Sequence, residues 1–323
     1  MKDFAGKIAV ITGGGTGMGR ELVRQLVAEG CNVAMCDISA SAMAETRRLC
    51  EVERLPQGLR ITTHIADVSD EAQLLRFRDE VSEQQATDKI HLLFNNAGIG
   101  GSGSLFTNTR EQWEKTFGIC WGGVYLGVRT FLPMLMKADE GHIVNTSSVN
   151  GFWASVGMLQ SHTAYSAAKF AVKGFTEALI GDLRLNAPHI KCSVVMPGHI
   201  GTPILSNSRK IQSGTDSDRL NDNEVTLARV RLGMAGIADA AKMSDEDVQA
   251  YAAERTRSFR EEAPTSAAQA AKIILDGVRA ERWRILVGED AHYLDERVRR
   301  TPEQAYDLEF YQSLAAEAGW RLG

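Results

Sequence analysis

Nothing in this chain of 323 residues comes close to the run of about 18 apolar residues that a membrane-spanning helix needs. The opening Met1-Lys2-Asp3-Phe4-Ala5-Gly6-Lys7 also lacks the apolar core of a secretory leader. The expectation is a soluble, cytoplasmic protein with no membrane partner. A basic surplus is missing too: 36 Lys and Arg stand against 41 Asp and Glu, a formal net charge of −5. That balance gives no broad cationic surface, so nucleic acid is not an expected partner. The five cysteines (Cys31, Cys36, Cys50, Cys120, Cys192) are odd in number and show no Cys-x-x-Cys spacing. A disulfide framework and structural zinc are both disfavoured, and no metal site is expected. No internal repeat or low-complexity tract is evident.

What is there is a rhythm. Short apolar runs alternate with amphipathic Ala/Glu/Arg-rich segments through about residue 200. Strands are expected at Ile8–Ile11, Val33–Cys36, Ile61–Ile65, Leu92–Asn95, Ile143–Thr146, Cys192–Val195 and, much later, Ile285–Val287. Helices are expected near Gly17–Glu29, Ala40–Cys50, Glu71–Gln84, Glu111–Met136 and Tyr165–Arg184. Strands this apolar, alternating with helices, argue for a parallel sheet covered on both faces. The right-handed crossover rule then predicts an α/β, Rossmann-type doubly wound fold of about seven strands in the order 3-2-1-4-5-6-7. From Ile204 to Glu262 the rhythm breaks: no strand pattern is present, and Glu224–Ala241 and Ser244–Glu262 read as helices. A segment this long is expected to be a substrate lid, with partial disorder as the alternative. The chain thus reads as a single domain over 1–323, with a lid at 204–262 and a C-terminal extension at 289–323. Aromatic exposure at Trp320-Arg321-Leu322 would suggest docking on a neighbouring subunit.

Two local patterns carry chemistry. The first strand runs into Thr12-Gly13-Gly14-Gly15-Thr16-Gly17-Met18-Gly19. Glycines between a strand and a helix let backbone amides approach a pyrophosphate at the positive helix end. Strict G-x-G-x-x-G spacing is absent; Gly13, Gly17 and Gly19 hold the keyed positions of T-G-x-x-x-G-x-G. Asp37 ends the second strand, and a carboxylate there can accept both hydroxyls of an adenosine ribose while repelling a 2′-phosphate. Neither Thr16 nor Ile38 offers a positive charge to such a phosphate, so NAD is expected over NADP. A turn or helix-capping role is the alternative for Asp37.

The second pattern is Tyr165-Ser166-Ala167-Ala168-Lys169. A phenol and an ammonium four residues apart share one helix face, about 5–6 Å between Cβ atoms. Lysine held that close should lower the tyrosine pKa, leaving it able to exchange a proton with an alcohol or carbonyl. Taken alone, the pair also fits a solvated surface contact.

With these residues in place, the sequence resembles the short-chain dehydrogenase/reductase family over about residues 5–203 and again near Pro264–Gly288. Besides the glycine turn and the Tyr/Lys pair, Asp67-Val68, Asn95-Asn96-Ala97-Gly98, Ser147-Ser148 and Pro197-Gly198-His199-Ile200-Gly201-Thr202 fall in family order. The resemblance implies that Ser148 holds the substrate oxygen, Tyr165 is general acid/base, and Lys169 tunes Tyr165 and binds the nicotinamide ribose. It also implies cofactor contacts from Gly13, Thr16, Gly17, Met18, Gly19, Asp37, Ile38, Asp67, Val68, Asn95, Ala97, Gly98, Ile200 and Thr202. Homodimers or homotetramers through the helices at Trp113–Met136 and Tyr165–Arg184 are implied as well.

Two departures stand out. Where the family carries a catalytic asparagine after Trp113, this chain has Cys120. Cysteine is a weak donor and a poor acceptor, but its backbone carbonyl remains, so the expectation is a proton relay that survives with altered efficiency. A small buried packing residue is the other reading. Ser148 and Tyr165 also lie seventeen residues apart, some four more than usual. Phe152, Trp153, Met158 and Leu159 make the longer loop apolar, and Ile204 and Leu205 do the same at the lid. Such a wall suits a hydrophobic secondary alcohol or ketone, with His162 and His199 adding polar contacts or lying as ordinary loop histidines. The expected function is an NAD-dependent oxidoreductase moving a hydride between nicotinamide and such a substrate. A cofactor-binding protein without turnover, and an epimerase- or dehalogenase-type reaction on the same fold, are the alternatives.

Overall fold

The computed structural model describes residues 1–53, 58–101, 103–157, 161–234 and 236–318. Seven parallel strands form the central sheet. They are β1 (Ile8–Thr12), β2 (Asn32–Asp37), β3 (Ile61–Ile65), β4 (Leu92–Asn95), β5 (Gly141–Thr146), β6 (Ile190–Pro197) and a late strand, Arg284–Val287. Their order is β3-β2-β1-β4-β5-β6 with the late strand at the far edge. This is the expected Rossmann-type arrangement. The order reverses between β1 and β4, which opens a crevice at the carboxyl ends of the strands.

Helices cover both faces because the central strands β1, β2 and β4 are apolar and buried on both sides. One face packs α1 (Gly17–Ala28), α2 (Ala40–Val52) and α10 (Ala267–Arg279), burying Leu22, Leu26, Met43 and Ile274 against Ile11 and Met35. The other packs α3 (Glu71–Gln84), α5 (Gly123–Leu135) and α6 (Thr163–Asn186), burying Phe77, Phe131 and Leu179 against Leu93 and Ile143.

The long helix expected at Glu111–Met136 is divided. It comprises α4 (Arg110–Phe117), a π-helical turn at Gly118–Gly122, and α5. Gly123 N–H reaches back five residues to Gly118 O, and three glycines in six positions make the wider turn sterically easy. The turn carries Cys120.

After β6 the chain forms a two-residue strand, β7 (Ile200–Gly201). It returns to pair with β8 (Thr265–Ser266) only after α7 (Ile204–Ser213), α8 (Asp222–Met234), a 3-10 turn (Ala240–Lys242) and α9 (Asp245–Glu261). The 204–262 segment is therefore a helical excursion stapled at its base. It has its own small core of Val225, Leu232, Ala240 and Val248. The helix expected at Glu224–Ala241 stops early because Gly236 takes a left-handed φ of 77° and Ile237 N–H bonds back to Leu232 O.

The late strand, β9, leads into α11 (Glu289–Arg300) and α12 (Leu308–Ala318). These cover the loop after β5, where Trp153 is wholly buried among Ala291, Leu294, Ala305, Phe310 and Leu314. The expectation about Trp320-Arg321-Leu322 lies outside the described residues. Among the described residues no helix is long and apolar enough to cross a membrane.

Candidate active site

The glycine turn is anchored to β2 by Gly13 and Gly14 N–H, which donate to Cys36 O at 2.8 and 3.1 Å. Gly13 has φ 69°, and a Cβ there would lie 2.8 Å from the Ala97 Cα. At Gly19 a Cβ would run into the Gly13 carbonyl oxygen. Only glycine permits this approach of helix to strand. Arg20 locks the turn from below, its Nη2 donating to Gly15 O at 2.6 Å. Thr16, the N-cap of α1, makes no side-chain cap bond; its hydroxyl accepts from Asn207 Nδ2 at 3.0 Å instead. The first-turn amides of α1 are thus left to a ligand.

Asp37 ends β2 beside the glycine turn. Its Oδ2 accepts Gly15 N–H at 3.0 Å and its Oδ1 accepts Ser39 N–H at 3.1 Å. Each oxygen keeps lone-pair capacity for a hydroxyl. Ile38 beside it is 51% exposed, an apolar surface of the kind an adenine ring covers. The glycine cradle, the uncapped helix end and this carboxylate fit a dinucleotide.

Asp67 and Val68 lie in the loop that follows β3. Asp67 Oδ1 accepts from Ser69 N and Oγ at 2.9 and 2.6 Å, while Val68 is buried against Gly123. Asn95 corrects the sequence reading. Its side chain is buried inside the sheet, Nδ2 donating to Asn145 Oδ1 at 2.8 Å, because Asn95 is still a strand residue pointing into the helix layer. Asn96, one step beyond the strand, lines the cleft and holds Thr12 O at 3.2 Å.

A cavity of about 1670 Å³ opens at the carboxyl end of the sheet. Ser148, Tyr165 and Lys169 converge in its wall, joined by Met18, Gly98, His199, Ile200, Thr202, Ile204 and Leu205 of the expected set. Ser148 caps a 3-10 turn at Val149–Gly151, its Oγ accepting Asn150 N–H at 3.1 Å. It also lies close enough to the Tyr165 hydroxyl to favour its ionised form. Lys169 is almost fully buried; its Nζ lies 5.4 Å from the Tyr165 ring centre and donates to Thr146 O at 2.9 Å.

The expected fall in the Tyr165 pKa does not occur in the protein alone. Burial pushes the phenol well above its ordinary value, outweighing the nearby Ser148 hydroxyl, which lowers it. Burial also holds Lys169 below the usual ammonium range. Both shifts oppose a phenolate–ammonium pair in the protein alone, so helix spacing by itself does not produce a phenolate.

Cys120 is fully buried, its Sγ donating to Ile99 O at 3.2 Å. His199 presents a ring tilted against that of Phe259 at 4.4 Å, with Nε2 bonded to Phe259 O at 2.7 Å. His162 meets Tyr165 edge-on at 5.8 Å and is lowered to about 4 by burial.

Phe152 and Trp153 do not line the cavity. Trp153 Nε1 donates to Ala305 O at 2.7 Å and Phe152 packs beneath Arg284, so both anchor the C-terminal extension. Met158 and Leu159 lie outside the described residues. The apolar wall comes instead from Val149, Val156, Leu227, Val230 and Met234. Asp290 of α11 went unforeseen. It is largely buried, accepts His199 N–H at 2.6 Å, and braces the loop before β7. No local motif marks Asp290 or the α8 residues, since their place depends on how distant helices dock.

Residues 7–213 match the family model described as short chain dehydrogenase. The oxidoreductase SadH of Mycobacterium tuberculosis is 32% identical over 295 residues, 91% of each chain. Levodione reductase of Leifsonia aquatica is 33% identical over 208 residues, covering 64% of this chain and 74% of that one. The structure of a short chain dehydrogenase/reductase from Burkholderia phymatum in complex with NAD superimposes with a TM-score of 0.73. It is 28% identical and covers 94% of this chain and 95% of that chain.

Proposed function

This chain belongs to the short-chain dehydrogenases and is an oxidoreductase of that family, and from there we propose that it interconverts an apolar secondary alcohol and its ketone with NAD. The observation that carries the proposal is the convergence of Ser148, Tyr165 and Lys169 in one cavity wall beside the glycine turn. NAD, when bound, would supply the hydride acceptor, or NADH the donor. Gly13, Thr16, Gly17, Gly19, Asp37 and Lys169 would hold it, with Ile200 and Thr202 at the nicotinamide end. The preference for NAD rests on Asp37, whose charge disfavours a 2′-phosphate.

Ser148 Oγ holds the substrate oxygen by a hydrogen bond and orients it toward Tyr165. Tyr165 Oη gives its proton to that oxygen in ketone reduction and takes it back in alcohol oxidation. Lys169 stabilises the charge that develops on Tyr165 and hands protons toward solvent past Cys120. The 204–262 segment serves as a lid: Ser208 Oγ accepts Gly100 N–H at 2.7 Å and Gln212 donates to Thr116 Oγ1 at 2.8 Å, tying α7 across the crevice. The exposed Tyr125 and Phe170 on α5 and α6 suit a homodimer or homotetramer through that face.

The test follows NADH absorbance with a panel of secondary alcohols and ketones, using NAD and NADP in parallel. Turnover with NAD that drops by a factor of about a thousand or more in Tyr165→Phe, with cofactor affinity retained, is the expected result. Tight NADH binding without turnover of any substrate would refute the proposal in favour of a binding protein.

A further inference from the structure

We propose that Arg231 and Arg255, on the packed helices α8 and α9, receive the carboxylate of an apolar hydroxy or oxo acid. The substrate is then amphipathic, its apolar body on the α8 wall and its charge on the two guanidinium groups. The inference rests on reading the cavity as a substrate site and adds the class of substrate.

The 204–262 segment holds seven arginines. Arg209 pairs with Glu224 at 3.0 Å, Arg219 with Glu246 at 2.7 Å, Arg257 with Glu254 at 2.6 Å, Arg260 with Glu261 at 3.0 Å, and Arg229 with Asp245. Among the described residues Arg231 and Arg255 alone of the seven have no ion pair or hydrogen bond, and these two line the cavity. Both residues keep more than a third of their surface open to solvent, where a ligand can reach them. The partial desolvation that remains, followed by repulsion from Arg255, holds Arg231 below the ordinary guanidinium range, with no carboxylate opposing it. Two like charges facing one another repel, and an anion between them relieves that repulsion.

Cavity carboxylates do not fill that role. Glu254 is committed to Arg257, Glu262 accepts from Ser258 Oγ at 2.7 Å, and Asp290 accepts from His199. Glu289 sits in the first turn of α11, on the positive end of that helix. Beside the arginines the wall is apolar, with Leu227, Val230, Met234 and Ile237. Planar guanidinium groups match a carboxylate by paired hydrogen bonds, and the apolar stretch takes the chain that carries it.

Binding calorimetry on the whole protein with NADH present tests this with octanoate and 1-octanol as probes. The wild type should bind octanoate at least about tenfold more tightly, the worth of one hydrogen bond between charged partners. Arg231→Gln/Arg255→Gln should erase that preference, and Arg231→Lys/Arg255→Lys should restore part of it. Equal binding of both probes by the wild type overturns the proposal, as does a Gln variant that keeps the preference. Loss of NADH affinity with the octanoate preference intact would reassign the pair to the cofactor. Since the readout is binding, failure of turnover counts against the dehydrogenase reading and leaves this test standing.

Discussion

Replacing Lys169 with methionine removes a charge while keeping most of the buried stem. The Nζ lies 5.4 Å from the Tyr165 ring centre. Coulomb's law at an effective dielectric of about 20 then gives about 3 kcal/mol for a full phenolate. In the proposed ketone reduction, Tyr165 donates its proton and that charge forms in the transition state, so most of the attraction acts on the rate. Ketone reduction at neutral pH should fall on the order of a hundredfold in kcat. The pH dependence has a definite sign. Burial holds Lys169 below the usual ammonium range, so the wild type loses this assistance as pH rises through that lowered value. Reduction should therefore show an alkaline decline that starts earlier than an exposed lysine would give, and Lys169→Met should lack it. Initial rates from NADH absorbance across the neutral and alkaline range, at saturating cofactor, read both effects. The variant also loses the bond to Thr146 O, so its melting temperature is compared alongside. A well-folded Met variant within threefold of wild-type kcat, or one that keeps the alkaline decline, would refute the electrostatic reasoning.

Trp153→Ala should destabilise by about 3–5 kcal/mol, the usual cost of emptying a buried aromatic site, because Trp153 is wholly buried and bonded to Ala305 O. Urea unfolding reads that loss, while the ratio of kcat/KM for a small and a large alcohol should stay put. A broadened substrate range with stability intact would mean that Trp153 borders the pocket after all. His142 is fully buried with Nε2 on Ser193 Oγ at 2.7 Å, and burial lowers it to about 3. An unfolded histidine binds its proton near pH 6.5, so this contribution is complete above that pH and is lost as pH falls toward the folded value. The loss is about 1.4 kcal/mol per pH unit. His142→Gln should flatten the unfolding free energy between about pH 6 and pH 4 by that slope; an unchanged slope would show that His142 is not the group that titrates.

How far the molecule could be read from its sequence depended on how far each feature reaches along the chain. The glycine turn, Asp37 and the Tyr165/Lys169 spacing are legible because a turn, a strand end and one helical turn are local geometry, complete within a few residues. The adjacent asparagines show the same logic at its edge. Asn95 still obeys the two-residue alternation of β4 and turns inward to Asn145, while Asn96 has left the strand and faces the cleft. A stricter use of that alternation would have separated them. Tyr165 failed differently. Helix spacing gave the partner correctly, but the sign of the pKa shift belongs to burial, which no spacing reveals.

Trp153, Asp290 and the arginines of the 204–262 segment lie further from reach. An apolar residue beside a pocket loop can face substrate or core, and Trp153 faces core because the C-terminal extension, some 150 residues later, docks on it. Seven arginines in a polar helical segment look alike as letters. Only the fold shows that five meet carboxylates and two meet each other above an apolar wall. The same long-range packing that hides the cavity wall from the sequence leaves the Tyr165/Lys169 pair plain in it. Proton transfer needs a fixed spacing on one helix, whereas substrate choice is made by elements the chain brings together from far apart.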